Sequence, residues 1–341
     1  MRQIDNPYRG RGFGAGFDDV PWPSDDPTRV LEMLGRCPRH GPTPLVEVPD
    51  LAAACGAAEM WVKDERGRMG LGSFKALGAA YVIACHAAEG TASGRVYVAA
   101  SAGNHGMSVA AGAAAFGARA VIYLAETVPE DFAQRLRDLG AEVVRAGAIY
   151  EDSMAAAQKR AEDEAWTLLS DSSWHGYMEL PHRLMEGYLA LISEAMTAMP
   201  APPSHVFLQA GVGGLAVACA ALIRARWGDG PRVVVVEPEA APALMASIEV
   251  GRAVLAPGPV SCMGRLDCKE PSLIALKGLA RDADAFMTIS EDDGLAAARL
   301  CAGADLPTTP SGSAGLAGAI AADLPEDARV LVILSEGPED A

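Results

Sequence analysis

The chain has 341 residues, half of them hydrophobic and 21% charged, a balance that excludes a disordered or fibrous protein and allows a core large enough to need no disulfide or metal staple. Lys and Arg total 28 against 44 Asp and Glu, a formal net charge of −16 with no basic run, which argues against a nucleic-acid partner. Seven scattered cysteines with no Cys-x-x-Cys pair, six separated histidines and an opening segment, MRQIDNPYRG, without an apolar signal core read as a soluble cytoplasmic protein with reduced thiols, no metal site and no membrane association.

Residues 1–42, rich in Pro, Gly, Arg and Asp, predict an extended arm with one short helix at Thr28–Leu34. Beyond them, short apolar runs alternate with Ala-rich amphipathic stretches. The runs predict strands at Met60–Lys63, Val96–Ala100, Arg119–Leu124, Glu142–Arg145, Thr167–Leu169, His205–Gln209, Arg232–Val236, Phe286–Ile289 and Val330–Leu334. Helices are predicted at Phe74–His86, His105–Phe116, Glu130–Leu139, Asp152–Glu164, Leu180–Met199, Leu215–Trp227 and Asp292–Ala302. In the helix from Leu180, Leu184, Tyr188 and Ile192 repeat every fourth position and mark one apolar face. Continuous apolar strands alternating with helices argue for an α/β fold with parallel sheets covered on both sides. The Pro-rich break Met199–Pro203 marks a crossing between lobes.

Five stretches carry candidate chemistry. Lys75, one of only five lysines, opens a helix between Phe74 and Leu77. Burial disfavours the charged form of an amine, and a neutral amine is what a Schiff base needs; the competing reading is a lysine whose stem lies on the core and whose head reaches water. Ser101-Ala102-Gly103-Asn104-His105-Gly106 is a polar turn between a strand and a helix, where open α/β sheets bind ligands and where backbone amides attract anions. Gln209-Ala210-Gly211-Val212-Gly213-Gly214 forms a second such turn, an anion nest suited to a phosphate. Gly211-x-Gly213-x-x-Ala216 followed by a strand ending at Glu237 also nearly fits a dinucleotide fingerprint, so a nicotinamide cofactor stays open at this point. Ser335 ends the last strand. Asp171-Ser172-Ser173-Trp174-His175-Gly176-Tyr177 crowds polar and aromatic side chains into one loop.

Taken together, SFKALGAAY, SAGNHG, LQAGVGG and ILSEG resemble the fold-type II pyridoxal-phosphate enzymes. DSSWHGYMELPHRLMEGY, VVEPE, MGRLDCKEPS and SGSAGLAG are most similar to the diaminopropionate ammonia-lyases within that family, and the likeness runs from about Asn6 to the C-terminus. The resemblance implies a tryptophan synthase β-like fold of two open, mostly parallel α/β lobes with pyridoxal 5′-phosphate between them: a large cofactor-binding domain of residues 1–75 and 201–341, and a small substrate-gating domain of residues 76–200. It implies that Lys75 holds the cofactor as a Schiff base and that Asn104 bonds its 3′-hydroxyl. Gly211, Val212, Gly213 and Gly214 hold its phosphate, and Ser335 faces its ring nitrogen. Ser101, Gly103, Asn104 and His105 bind the substrate carboxylate, and Asp171 is the general base. The implied activity is elimination of ammonia from 2,3-diaminopropionate, an amino-acid degradation, by a homodimer. The subgroup carries a second acid in its turn where this chain has Ala102. An alanine moves no proton, so a dehydratase of serine, threonine or 3-hydroxyaspartate on the same fold stands as the nearest alternative, and a nicotinamide-dependent oxidoreductase as a more distant one.

Overall fold

A computed structural model describes residues 1–338. Its strands are β1 (Arg2–Asp5), β2 (Leu45–Glu47), β3 (Glu59–Asp64), β4 (Val96–Ala100), β5 (Arg119–Leu124), β6 (Glu142–Arg145), β7 (Thr167–Leu168), β8 (His205–Gln209), β9 (Arg232–Pro238), β10 (Ala285–Ile289) and β11 (Arg329–Leu334). The helices are α1 (Thr28–Leu34), α2 (Pro49–Cys55), α3 (Lys75–Ala88), α4 (Asn104–Ala115), α5 (Glu130–Asp138), α6 (Tyr150–Asp163), α7 (Glu179–Gly187), α8 (Leu189–Ala198), α9 (Gly214–Trp227), α10 (Ala243–Val250), α11 (Leu273–Asp282), α12 (Glu291–Gly303) and α13 (Ala314–Ala321).

The strands form two sheets. The larger has the order β1-β10-β9-β8-β11-β3-β2 and the smaller β6-β5-β4-β7. The smaller sheet is wholly parallel. In the larger one only the edge strands β1 and β2 pair antiparallel. Parallel pairing aligns the carboxyl ends of the strands, so the loops after β4, β8 and β11 all leave their sheets at such ends, where open α/β sheets bind ligands. One body of buried apolar side chains runs through both sheets, from Ile122 and Leu169 through Leu77 and Leu184 to Leu215 and Ile333.

The predicted helix Leu180–Met199 is two helices that meet at Tyr188. The cause is a close crossing. A Cβ on Gly187 would come within 2.6 Å of the Leu77 carbonyl, and one on Gly78 within 2.8 Å of Leu184 and Tyr188. The predicted face persists across the break, since Leu184, Tyr188 and Ile192 are all buried. The arm is strapped down rather than loose. It contributes β1 to the sheet edge, and Asn6 Nδ2 donates to the carbonyls of Leu279, Ala280 and Ala283 at the end of α11. Lys277 Nζ donates to the carbonyls of Phe17 and Val20.

Lys63, which its acidic neighbours made look unremarkable in the sequence, is the most deeply buried lysine, 1% exposed. Its Nζ donates to Glu194 Oε2 at 2.6 Å and to the Thr43 carbonyl at 2.7 Å. Arg68, also buried, donates to both Glu65 oxygens at 2.7 and 2.8 Å and to both Glu194 oxygens at 2.9 and 2.7 Å. Two cations and two carboxylates thus neutralise one another out of water. They tie β3, the turn before α3, the arm and α8 into one block just upstream of Lys75.

Candidate active site

Lys75 is the first residue of α3 and Asp171 lies in the loop after β7. The two side chains meet, Nζ donating to Asp171 Oδ2, and each is 22% exposed. Both are partly exposed rather than sealed in the core. Burial acts to lower the lysine pKa, but Asp171 and Tyr188 outweigh it, and the amine is held protonated well above its usual range. Burial likewise acts to raise the Asp171 pKa, but the attraction of Lys75 and His105 prevails and the carboxyl is held below its usual range. The Asp171 carboxylate is therefore ionised, and its counter-ion is the lysine.

Around this pair stand the other residues singled out in the sequence. The turn after β4 begins with Ser101, whose Oγ accepts the Gly103 N–H at 3.3 Å, and leads into α4, which has no side-chain cap. Asn104 Nδ2 donates to Glu336 Oε2. His105 is buried and bonded through Nε2 to the Leu169 carbonyl at 2.8 Å. A carbonyl only accepts, so Nε2 carries the proton, leaving Nδ1 as a buried acceptor without a partner. Burial lowers the His105 pKa, so the ring is neutral. Ala102, half-buried, packs on the apolar core.

The turn after β8 admits only glycine at two of its positions. Gly213 has φ +97°, and a Cβ there would come within 2.9 Å of the Ala275 methyl. On Gly211 a Cβ would lie 2.9 Å from Cys268 Sγ and 3.2 Å from backbone atoms of Arg265 and Leu266. Gly214 and Val212 complete the loop, and α9 starts without a side-chain cap. Ser335, buried at the end of β11, accepts the Phe74 N–H on its carbonyl at 3.1 Å, which brings it beside the Lys75 turn.

Reading the sequence missed four side chains at this cleft. Tyr188 buries its hydroxyl within electrostatic reach of Lys75. Cys268 lies on Gly211. Glu336, which follows Ser335, joins Asn104 to Thr309, and Arg265 lies 3.7 Å from Glu336 through Nε. Glu336, Arg265 and Cys268 belong to motifs already noted, ILSEG and MGRLDCKEPS, but no local spacing reveals a contact between them. His175 and His182 are bonded to Asp19 and to the Trp22 carbonyl at the surface.

The dinucleotide reading meets an obstacle at Glu237. That carboxylate is fully buried and accepts the Leu244 and Met245 amides at 2.7 and 2.8 Å. It holds the start of α10 and is not presented to a ribose. The site instead suits a phosphorylated aldehyde: a turn that leaves no room for a Cβ at Gly211 and Gly213, an amine at the start of α3 and a polar strand end nearby. Among the described residues no group of three His, Cys, Asp or Glu side chains could hold a metal, and no helix is long and apolar enough to cross a membrane.

Comparison with known proteins agrees with this geometry. Residues 37–336 match the family model described as pyridoxal-phosphate dependent enzyme. The chain is 31% identical to diaminopropionate ammonia-lyase of Escherichia coli (strain K12), over 88% of this chain and 85% of that protein. It is 29% identical to the mouse serine dehydratase-like protein, over 77% and 76% of the two chains. The crystal structure of the E. coli diaminopropionate ammonia-lyase in complex with an aminoacrylate–PLP azomethine reaction intermediate superposes with a TM-score of 0.88, at 27% identity over 98% of this chain and 93% of that one. The chain belongs to the pyridoxal-phosphate dependent enzyme family, as a fold-type II carbon–nitrogen lyase that uses pyridoxal 5′-phosphate.

Proposed function

We propose that the enzyme eliminates ammonia from 2,3-diaminopropionate and yields pyruvate. The observation that carries this reading is the Lys75–Asp171 contact on the cleft, between the Ser101–His105 turn and the glycine cradle; the 31% identity to diaminopropionate ammonia-lyases supports the choice of substrate. In this reading Lys75 anchors the cofactor, Asn104 takes its ring hydroxyl, the amides of Gly211, Val212, Gly213 and Gly214 take its phosphate, and Ser335 faces its ring nitrogen. Ser101, Gly103, Asn104 and His105 hold the substrate carboxylate. When bound, the cofactor supplies a sink for the electron pair left at the α-carbon. Asp171 removes the α-proton. An amine departs only when protonated; in this reading Lys75 Nζ gives its proton to the departing β-amine, and Asp171 keeps the proton it took from the α-carbon. The enamine released hydrolyses in water to pyruvate and a second ammonia.

One observation favours a second reading. Ala102 stands where the resembling turn has an acid, and a serine dehydratase-like protein is also among the relatives. A dehydratase expels hydroxide and needs the same base. Release of pyruvate and ammonia from L- and D-2,3-diaminopropionate, L- and D-serine, L-threonine and 3-hydroxyaspartate decides between them. Turnover of one diaminopropionate enantiomer supports the lyase. Turnover of hydroxyl substrates alone overturns it.

Two variants probe the assigned roles. Asp171→Asn lowers kcat by roughly 10²–10⁴-fold, the usual share of a positioned proton-transfer group, and a steady-state assay giving less than a tenfold loss removes Asp171 from the chemistry. Gly213→Ala forces a left-handed backbone on alanine and crowds Ala275, a cost of about 1–3 kcal/mol. Titration of the apoenzyme with pyridoxal phosphate should then show a correspondingly weaker Kd.

We also propose that residues 1–75 and 201–341 act as the large domain and 76–200 as the small one, and that the enzyme is a cytoplasmic homodimer. The two separate sheets support the division, and sedimentation at micromolar concentration tests the dimer.

A further inference from the structure

We propose that Tyr188 is a positioning residue for Lys75: its buried hydroxyl becomes the hydrogen-bond acceptor of the lysine ammonium once Asp171 has taken a proton, and holds that ammonium ready to protonate the departing group. The proposal deepens the reading of Asp171 as base and Lys75 as acid, and rests on it.

Tyr188 sits where α7 meets α8 and is 1% exposed. Its ring meets that of Phe74, the residue before Lys75, edge-on with 4.8 Å between centroids. Lys75 Nζ lies 5.3 Å from the centre of the same Phe74 ring. A Cβ on Gly78, one turn along α3 from Lys75, would come within 2.8 Å of Tyr188 Cε1, and one on Gly214 would lie 3.5 Å from Cε2. Those two carbons flank the one that bears the hydroxyl. The hydroxyl end of the ring is therefore wedged between the start of α3 and the start of α9. The hydroxyl makes no hydrogen bond in this resting arrangement, yet Lys75 Nζ is a donor within its reach. Burial pushes the phenol pKa up, so it stays an uncharged hydroxyl.

A buried hydroxyl without a partner is costly, which points to a state of the site in which it has one. At rest Lys75 Nζ donates to Asp171. When Asp171 takes the α-proton, its carboxyl is neutral and the ammonium has lost its counter-ion. His105, Tyr150 and Cys268 share the field of Lys75. The His105 ring is tied to the Leu169 carbonyl, Tyr150 stands 56% exposed at the start of α6, and a thiol is a weak acceptor. The Tyr188 oxygen is the acceptor that remains. A carboxylate partner makes an ammonium a weak acid; against an uncharged hydroxyl, burial meets less opposition and the proton leaves more readily. Nζ then passes its proton to the β-nitrogen. The bond from the β-carbon to that nitrogen breaks, its electron pair leaves on ammonia, and the pair at the α-carbon forms the double bond of the enamine. Lys75 is left neutral and Asp171 protonated.

The holoenzyme is offered 2,3-diaminopropionate, serine and β-chloroalanine, each as both enantiomers, and initial rates of pyruvate release are measured. Chloride leaves without a proton, whereas an amine or a hydroxyl must receive one. Tyr188→Phe keeps the ring between Phe74, Gly78 and Gly214 and removes only the hydroxyl. The ratio of turnover on 2,3-diaminopropionate to turnover on β-chloroalanine should fall roughly 10–100-fold, the range of a hydrogen bond to a charged group. Equal slowing of both, or no change in either, would show that the hydroxyl does not direct the proton and would overturn the proposal. A second readout needs neither substrate nor cofactor. With only five lysines in the chain, Lys75 can be followed through the NMR resonance of its Cε. In Asp171→Asn, where the carboxylate is gone, adding Tyr188→Phe should make Lys75 titrate about one pH unit lower or more. An unchanged titration would show that the ammonium does not bond the hydroxyl, and would also overturn the proposal. If the parent turns over serine but not 2,3-diaminopropionate, the ratio is taken on serine: Tyr188 is judged as before, and only the choice of substrate fails. If the parent releases pyruvate from none of the three, the reading of Asp171 and Lys75 as proton carriers fails, and the proposal with it.

Discussion

Replacing Lys75 with alanine should abolish turnover, with a loss of at least roughly 10⁴-fold, because the variant lacks both a proton carrier and the covalent anchor. The protein should also lose its yellow colour on gel filtration, and borohydride should fix no cofactor to it. Lys75→Arg separates the two roles of the side chain. It restores a cation beside Asp171 but supplies no nucleophile, so without cofactor it should melt with the parent apoenzyme, and it should be as inactive as Lys75→Ala. Residual activity above about 1% in either variant would move the anchor elsewhere. The ion pair also has a pH signature. The raised lysine pKa gives stability that is present below its unfolded value and lost as pH rises through the folded one. The depressed Asp171 pKa gives stability that is present above its unfolded value and lost as pH falls through the folded one. Both contributions hold between about pH 4 and pH 10. The melting-temperature difference between the cofactor-free forms of Lys75→Ala and the parent should therefore be flat from about pH 5 to 9 and shrink below it.

The second large effect is on folding. Glu194→Ala leaves Lys63 and Arg68, 1% and 0% exposed, with Glu65 as their remaining carboxylate. An uncompensated charge out of water costs about 3–5 kcal/mol when one member of a buried pair is removed. Equilibrium denaturation should show a loss of that size without a change in m-value. Glu32→Ala, which removes an exposed partner of Arg36, should change stability by no more than about 1 kcal/mol. A loss under about 1 kcal/mol for Glu194→Ala would mean that water reaches the cluster. Because Arg68 belongs to the turn that leads into Lys75, the variant should also bind the cofactor less tightly.

The strands Val96–Ala100, Arg119–Leu124, Glu142–Arg145 and His205–Gln209 were legible to the residue. A parallel strand covered on both sides is a continuous apolar run, and turn residues bound each of these. Helices α10, α11 and α13 went unread for the opposite reason. α13, AGLAGAIA, is buried almost all round and so shows no one-sided period. β1, RQID, is an exposed edge whose partner residues lie 280 to 286 positions away. The same contrast holds in the cleft. Lys75, the Ser101–His105 turn and the Gly211–Gly214 loop announce themselves because each is a local punctuation of strand and helix. Glu336 does not, since it meets Asn104 across 232 positions of sequence. The ionic partner of Lys75 is hidden for a related reason: its apolar neighbours in sequence are visible, but its aspartate is 96 positions away.

The placement of that aspartate gives the amine a mechanical role. The turn that carries Lys75 is stitched to the larger sheet: Ser73 bridges to Glu336, and the Gly337 N–H donates to the Gly72 carbonyl at 2.9 Å. Asp171 follows β7, which pairs with β4 in the smaller sheet. The Lys75–Asp171 contact therefore joins a turn held by the larger sheet to a loop that leaves the smaller one, so a single ion pair spans the seam between the two sheets.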